Sequence, residues 1–370
     1  MTRYDVAIVG AGIAGASLAA EVAPHASVLL LEAETQPGYH STGRSAAFWS
    51  ETYGGPLIQP LTTASRSFLE APPPDFSNRS FLRPRGALHL ADASGERALD
   101  RLFADFAETD VELRILRRKD LLGILPTLRT GWDRALLEPS CADIDVAALH
   151  AAYLRAARRA GAVLVGDARL EAAERIDGGW ALRTSAGHYR ADTLVNAAGA
   201  WADHVALLAG ERPLDLQPYR RTVVQVAVAP PAAPDLPLVI DARERFYFKP
   251  EAGGRLWLSP HDETACDPSD CQPEQLDVAL AVARFEDVSE QEVSRVERSW
   301  AGLRTFAPDR LPVYGWSESD RAFFWCAGQG GFGIQTAPAA AKLAAGLLLG
   351  RELALTARQI DPTVFGPGRF

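Results

Sequence analysis

Cysteine is scarce in this chain: four in 370 residues, Cys141, Cys266, Cys271 and Cys326, with no C-x-x-C pair and no histidine cluster beside them. That spacing argues against a zinc site and against a disulfide framework, so no metal ligands are expected. Cys266 and Cys271 flank an Asp/Pro/Ser turn and read as two free loop thiols. No apolar run reaches the roughly 20 residues of a membrane-spanning helix. The N-terminus carries one Arg and enters an apolar strand at once, which is not a signal-peptide pattern. Positive charge is also in short supply, with 38 Lys+Arg against 47 Asp+Glu and a net charge of -9. A nucleic-acid partner is therefore not expected, and anionic lipid finds no basic footprint. These absences point to the cytoplasm, with the inner membrane face as a peripheral alternative. What the chain has in quantity is apolar residues, 47%, enough for a large core and, at about 100–200 residues per domain, for about two domains.

The chain is organised around Val6–Gly15, an apolar run followed by glycines at 10, 12 and 15 in G-x-G-x-x-G spacing. A strand ending at Val9 turns at Gly10, so that the backbone of Gly12 can approach a pyrophosphate while Gly15 lets the following helix lie close to the sheet. The amides of Ile13 and Ala14 then open a helix, whose N-terminus favours a diphosphate without any basic side chain. Glycine-rich strand ends also occur as plain turns, but here the context completes a βαβ unit. A helix over Ala14–Ala23 leads to a second apolar strand, Ser27–Leu31, which ends on Glu32, about 20 residues on, where an acid binds ribose hydroxyls.

Further along, Gly38–Ala47 (GYHSTGRSAA) is a polar loop of small residues suited to pass a planar ligand. Helices are expected over Pro60–Leu69, Gly95–Thr109, Asp120–Leu125 and Val146–Ala160, and strands over Gly86–Leu90, over Ala135–Pro139 returning toward the first domain, and over Val163–Val165. A meander follows over Leu170–Ile176, Trp180–Thr184 and Tyr189–Ala191. Thr193–Trp201 then repeats the opening logic, an apolar strand running into Ala198 and Gly199. Gln217–Val228, Leu238–Ile240, Phe246–Pro250 and Arg255–Leu258 have the composition of an antiparallel sheet. Gln272–Phe285 and Ser289–Val293 read as helical. Trp300–Phe306 reads as a strand re-entering the first domain, and Phe323–Ala327 as a buried strand that ends in glycines before a helix over Thr336–Leu349. Three strand–glycine–helix crossings in separated segments give the expected fold class. It is α/β: a Rossmann-like domain (1-82, 141-215 and 300-370) carrying an inserted α+β substrate domain (83-140 and 216-299) on a mainly antiparallel sheet.

Together these segments resemble the superfamily of FAD-dependent D-amino-acid oxidases and dehydrogenases, and within it bacterial D-arginine dehydrogenases, with the Gly38–Ala47 string far more specific than the glycine fingerprint. The resemblance spans nearly the whole chain. It implies FAD with its diphosphate over Gly10, Gly12, Ile13, Ala14 and Gly15 and its ribose on Glu32. Ser41, Thr42, Arg44, Ser45, Ala46 and Ala47 would border the flavin, with Ala198 and Gly199 approaching from the middle crossing. Gly302, Arg304, Gly331, Phe332, Gly333, Ile334 and Gln335 would close over the ring. The substrate carboxylate would be held by Arg221, Arg304, Tyr53 and Tyr247. A buried carboxylate needs such matching, and arginine's planar fork supplies it bidentately. No cysteine lies in Arg310–Ser319, where the sarcosine oxidase branch attaches its flavin, so the FAD is expected to be noncovalent.

Two departures bear on the substrate. The D-arginine dehydrogenases place a histidine and a glutamate where this chain has Phe48 and Ala87, so a substrate guanidinium would lose its partner. Apolar or aromatic D-amino acids are expected instead, with Phe48, Trp49 and Tyr53 as walls. Glu51, and His89 by strand parity with Ala87, are the residues that could restore polarity. Oxidation of secondary amines or of 2-hydroxy acids on the same fold stays open, as does a flavoprotein subunit of a larger complex. So does the electron acceptor, whether quinone, dye or O2.

Overall fold

The computed structural model describes residues 3–351 and 360–370. Five parallel strands form the heart of the first sheet, in spatial order Val163–Val165, Val28–Leu31, Arg3–Val9, Gly187–Asn196 and Phe323–Ala327, with Val313–Trp316 antiparallel at the edge. Its strands are apolar on both sides because both faces are covered. Val6, Ile8, Val28 and Leu30 pack beneath the helices Ile13–Val22 and Ala337–Leu349, whereas Ala7, Val9, Leu29 and Leu31 meet Trp180, Leu182 and the helix Ala202–Leu208. The meander runs Leu170–Ile176, Gly179–Thr184 and into Gly187–Asn196.

A second, nine-stranded sheet is antiparallel except for one pair, Leu238–Asp241 beside Ala87–Asp92. Its longest ladder joins Gln217–Ala229 to Glu292–Phe306. Three expectations change here. Glu292–Phe306 is one unbroken strand of this sheet, so the chain returns to the first sheet after Phe306 and not at residue 300. Val293 lies in that strand and not in a helix. The preceding helix is Gln275–Val288, and Ser289 caps it in extended backbone. Ala135–Pro139, read as returning to the first domain, belongs to Trp132–Glu138, which pairs with Ala87–Asp92 inside the second sheet.

A small three-stranded sheet, Phe48–Trp49, Ala142–Ile144 and Leu82–Pro84, joins the two parts. Its Asp143 accepts from Lys249 Nζ at 2.9 Å, Arg85 Nε at 2.8 Å and Arg83 Nη2 at 2.9 Å. Burial alone would raise the Asp143 pKa, but the Lys249 charge and the hydrogen bonds from Arg85, Lys249 and Arg83 outweigh it and hold the group at about 2. A depressed folded-state pKa contributes stability that is present above the unfolded value near 4 and is lost as pH falls toward 2. Asp143→Asn is therefore expected to flatten the pH dependence of unfolding in that window. It should also cost about 3–5 kcal/mol at neutral pH, because Arg85 and Lys249 stay buried without their anion. Urea unfolding at a series of pH values checks both effects.

No helix among the described residues is long and apolar enough to cross a membrane. The four cysteines are free thiols.

Candidate active site

The carboxyl ends of the parallel strands open into a cavity of about 560 Å3, roofed by the second sheet. Its floor is backbone. Gly10, at φ +100°, lies so close to the middle crossing that a Cβ there would stand 2.4 Å from the Ala197 carbonyl oxygen. Gly12, Ile13 and Ala14 line the cavity from the helix start, with Ala198, Gly199 and Trp201 opposite. Thr42 Oγ1 accepts from Ile13 N at 3.0 Å, tying the polar loop to the helix terminus. Glu32 lines one end, its carboxylate oriented by Ala11 N at 2.9 Å and Glu34 N at 3.0 Å. A glycine-cut channel with an acid at its end and a helix N-terminus midway fits a dinucleotide.

Of the loop residues, Ser41, Thr42, Arg44, Ser45 and Ala46 line the cavity. Arg44 does so while strapping the loop down: its guanidinium bonds Asp270 and donates to the carbonyls of Cys271 and Ala301, both at 3.1 Å. Gly302, Gly331, Gly333 and Ile334 line the far wall.

The substrate end follows from strand register. Arg221 pairs with Gly302, and Tyr219 with Arg304, so Arg221 and Arg304 are diagonal neighbours on one face. Arg220 therefore points the other way, where Glu274 and Asp277 take it. Arg221 is 3% exposed and donates through Nε to the Asp262 carbonyl at 2.7 Å and through Nη2 to Glu263 at 3.1 Å. Among the described residues its Nη1 has no partner, and neither has the buried Tyr247 Oη. Burial, followed by the like charge of Arg304, pulls the Arg221 pKa down. Tyr53 lies with its ring 5.7 Å from the Arg304 guanidinium. A Cβ on Gly331 would sit 2.1 Å from Tyr53 Oη and 3.2 Å from Arg304 Nη1. Two guanidinium groups that neighbour each other on one sheet face, one with the unpartnered donor Nη1, lie beside two phenols, an arrangement whose chemistry suits a carboxylate.

Several sequence expectations fall elsewhere. Trp49 is fully buried, donates to the Thr62 carbonyl at 3.1 Å and packs in the core, so it is not a pocket wall. Glu51 turns inward to Thr63 Oγ1 at 2.6 Å and Ser140 Oγ at 2.9 Å. Gln335 does not reach the cavity. Its Oε1 accepts from Ser50 N and its Nε2 donates to Tyr53 O and Thr62 Oγ1. Phe332 packs on Tyr53 and Phe306. Ala47 closes the loop at positive φ, and Gly15 serves the helix–strand contact. Ala87 is fully buried in the cluster that includes Tyr247, Ala46 and Cys141, with Phe48 packed against it. Phe48 meets Tyr53 and Tyr247 at ring distances of 5.3 and 6.0 Å.

Sequence reasoning missed His261. Its ring lies edge-on to Tyr247 at 5.8 Å, and Nδ1 donates to the Glu244 carbonyl. Burial, then the charges of Arg221 and Arg304, drive its pKa well below the usual histidine value, so it stays neutral. A lone histidine after Ser-Pro carries no pattern that would have singled it out.

A cavity shaped for a dinucleotide, closed by an antiparallel sheet that presents neighbouring guanidinium groups, fits a flavin-dependent oxidoreductase. The chain matches the FAD dependent oxidoreductase (DAO) family over residues 5–347 and belongs to it. It is 26% identical to a glycine oxidase of Geobacillus kaustophilus (strain HTA426) over 363 residues, 95% of this chain and 94% of that protein. The structure of glycine oxidase from Geobacillus kaustophilus superposes with a TM-score of 0.85 over 100% of both chains. The fold is shared with L-proline dehydrogenase from P. horikoshii, at a TM-score of 0.84 and 20% identity over 98% of each chain. It is shared as well with L-alpha-glycerophosphate oxidase from Mycoplasma pneumoniae, a structure with FAD bound, at 0.84 and 17% over 96% of each.

Proposed function

We propose that the chain oxidises D-amino acids with apolar or aromatic side chains at the α-carbon, giving an imino acid that water hydrolyses to a 2-oxo acid and ammonia. The observation that carries this reading is the pair of unpartnered buried donors, Arg221 Nη1 and Tyr247 Oη, beside Arg304. Gly10, Gly12, Ile13 and Ala14 would hold the diphosphate of FAD and Glu32 its ribose, and FAD supplies the acceptor for the α-hydride when bound. The protein's own part is positioning. Arg221 and Arg304 fix the carboxylate, Tyr247 and Tyr53 complete its hydrogen bonds, and the α-carbon is thereby oriented. The side chain would meet Phe48 and the faces of Tyr53 and Tyr247, which favour apolar groups. No carboxylate stands at Ala87 to receive a guanidinium. The D configuration rests on the likeness of the chain's segments to D-amino-acid oxidases and dehydrogenases.

The relatives' names widen the panel that tests this reading. Anaerobic bleaching of the bound flavin is to be followed with D- and L-phenylalanine, D-leucine, D-arginine, glycine, sarcosine and L-proline. The expected order places D-phenylalanine or D-leucine first. Fastest reduction by glycine or sarcosine would move the assignment to small-amine oxidation, and fastest reduction by D-arginine would overturn the role given to Phe48 and Ala87.

A further inference from the structure

We propose that Glu138 and His89 are positioning residues for the carboxylate clamp and act through Tyr53; this rests on the clamp being the substrate site. Tyr53 is carried by Ser50–Tyr53, a stretch outside any helix or strand. Beneath it lies Glu138, the last residue of the strand Trp132–Glu138, with no solvent exposure. Its Oε1 accepts from Glu51 N at 2.7 Å. Its Oε2 accepts from Ser50 Oγ at 2.9 Å, Thr52 Oγ1 at 2.7 Å and His89 Nε2 at 3.2 Å. Three consecutive residues before Tyr53 thus hang from one carboxylate, while Gln335 grips Ser50 N at 3.2 Å and the Tyr53 carbonyl at 3.1 Å from the opposite side.

An isolated buried anion is costly, and apolar packing would anchor a loop more cheaply. An acceptor-only group, however, can orient a peptide N–H and two hydroxyls at once, and a carboxylate has enough lone pairs for all of them. His89 supplies the fourth donor. The result transfers the position of a strand end in the second sheet to the ring that lies against Arg304. A glutamine at 138 would keep one acceptor oxygen and turn an NH2 toward either the Glu51 amide or the hydroxyls, so at least one bond is lost.

The test is made on FAD-loaded enzyme, with Glu138→Gln, His89→Phe and His89→Gln alone and in a Tyr53→Phe background. In the Tyr53-containing enzyme, Glu138→Gln and His89→Phe should each raise the Michaelis constant for the best amino acid about tenfold. The dissociation constant of benzoate, read from the flavin absorbance, should rise by the same factor, with kcat within threefold and FAD content unchanged. His89→Gln, which keeps a donor, should restore most of the loss. In the Tyr53→Phe background the added effect should shrink below threefold. Lowered thermal stability with benzoate binding unchanged would overturn the proposal alone, as would effects that multiply in full with Tyr53→Phe. A wild-type flavin spectrum indifferent to benzoate and to every amino acid would overturn the clamp and this proposal together. Should Glu138→Gln fail to fold, His89→Phe carries the same readouts.

Discussion

Arg221→Met is expected to raise the Michaelis constant for a carboxylate substrate by about a hundredfold, roughly 2.7 kcal/mol of binding, while leaving the FAD content intact. The guanidinium is nearly sealed from solvent and already uses Nε and Nη2 on the Asp262 carbonyl and Glu263, which leaves Nη1 as the free donor. Truncating one partner of a buried, hydrogen-bonded charge pair costs about 2–5 kcal/mol. Glu263 keeps Arg310, at 2.8 Å, so the substitution strands no anion. Burial and Arg304 both depress the Arg221 pKa, so two like charges lie close together, a repulsion that a carboxylate between them would relieve. Arg220→Met is the matched control. It would unpair Glu274 and Asp277 and lower stability, yet should leave the Michaelis constant within about twofold, since it faces away. Steady-state kinetics with the best D-amino acid, alongside flavin content, separates the two arginines. Unchanged kinetics for Arg221→Met would remove it from the clamp.

What could be read from the sequence was decided by whether a residue type was forced. That Gly10, Gly12 and Glu32 line one cavity was legible because a backbone that must approach another backbone or a ligand closely favours glycine, and spacing then locates the acid. Arg221 was chosen over Arg220 by likeness to a motif, but the physical reason lies in the pairing of Tyr219 with Arg304, which no single strand reveals. Trp49, Glu51 and Gln335 were misplaced because their chemistry suits a pocket equally well as an internal hydrogen-bond hub, and only the fold shows that Thr62, Thr63, Ser140 and Ser50 use them up. Glu138 was invisible for the converse reason. An acid before Pro139 at a strand end has the look of a solvated side chain, and the three donors that bury it come from a segment more than 80 residues earlier. The helical reading of Ser289–Val293 overlaps the start of Glu292–Phe306, whose outer half is an exposed edge rich in Glu and Arg, where the alternation of a buried strand is absent.

Gly15→Ala should yield a colourless protein, and the reason is steric rather than chemical. In the helix Ile13–Val22 the added Cβ would lie 1.9 Å from the Gly10 carbonyl oxygen, 3.1 Å from its carbon and 3.3 Å from Ile8 Cγ2. Two of these are backbone atoms fixed by the sheet, since Gly10 N donates to Leu31 O at 2.8 Å, so the helix start has to lift. That motion carries Gly12, Ile13 and Ala14 away from the cavity floor and stretches the 3.0 Å bond from Ile13 N to Thr42 Oγ1. Gly12→Ala provides the contrast. Its Cβ would meet only the rotatable Thr42 Oγ1, at 3.2 Å, so the fold should tolerate it, whereas a pyrophosphate passing over that backbone should not. Both variants are therefore expected to purify without FAD. Only Gly15→Ala should also lower the melting temperature of the apoprotein, by about 5 °C, on an overpacking cost of roughly 2–3 kcal/mol. Absorbance at the flavin band together with apoprotein calorimetry distinguishes the two, and a Gly15→Ala protein carrying one FAD per chain would show that the helix does not set the cavity floor.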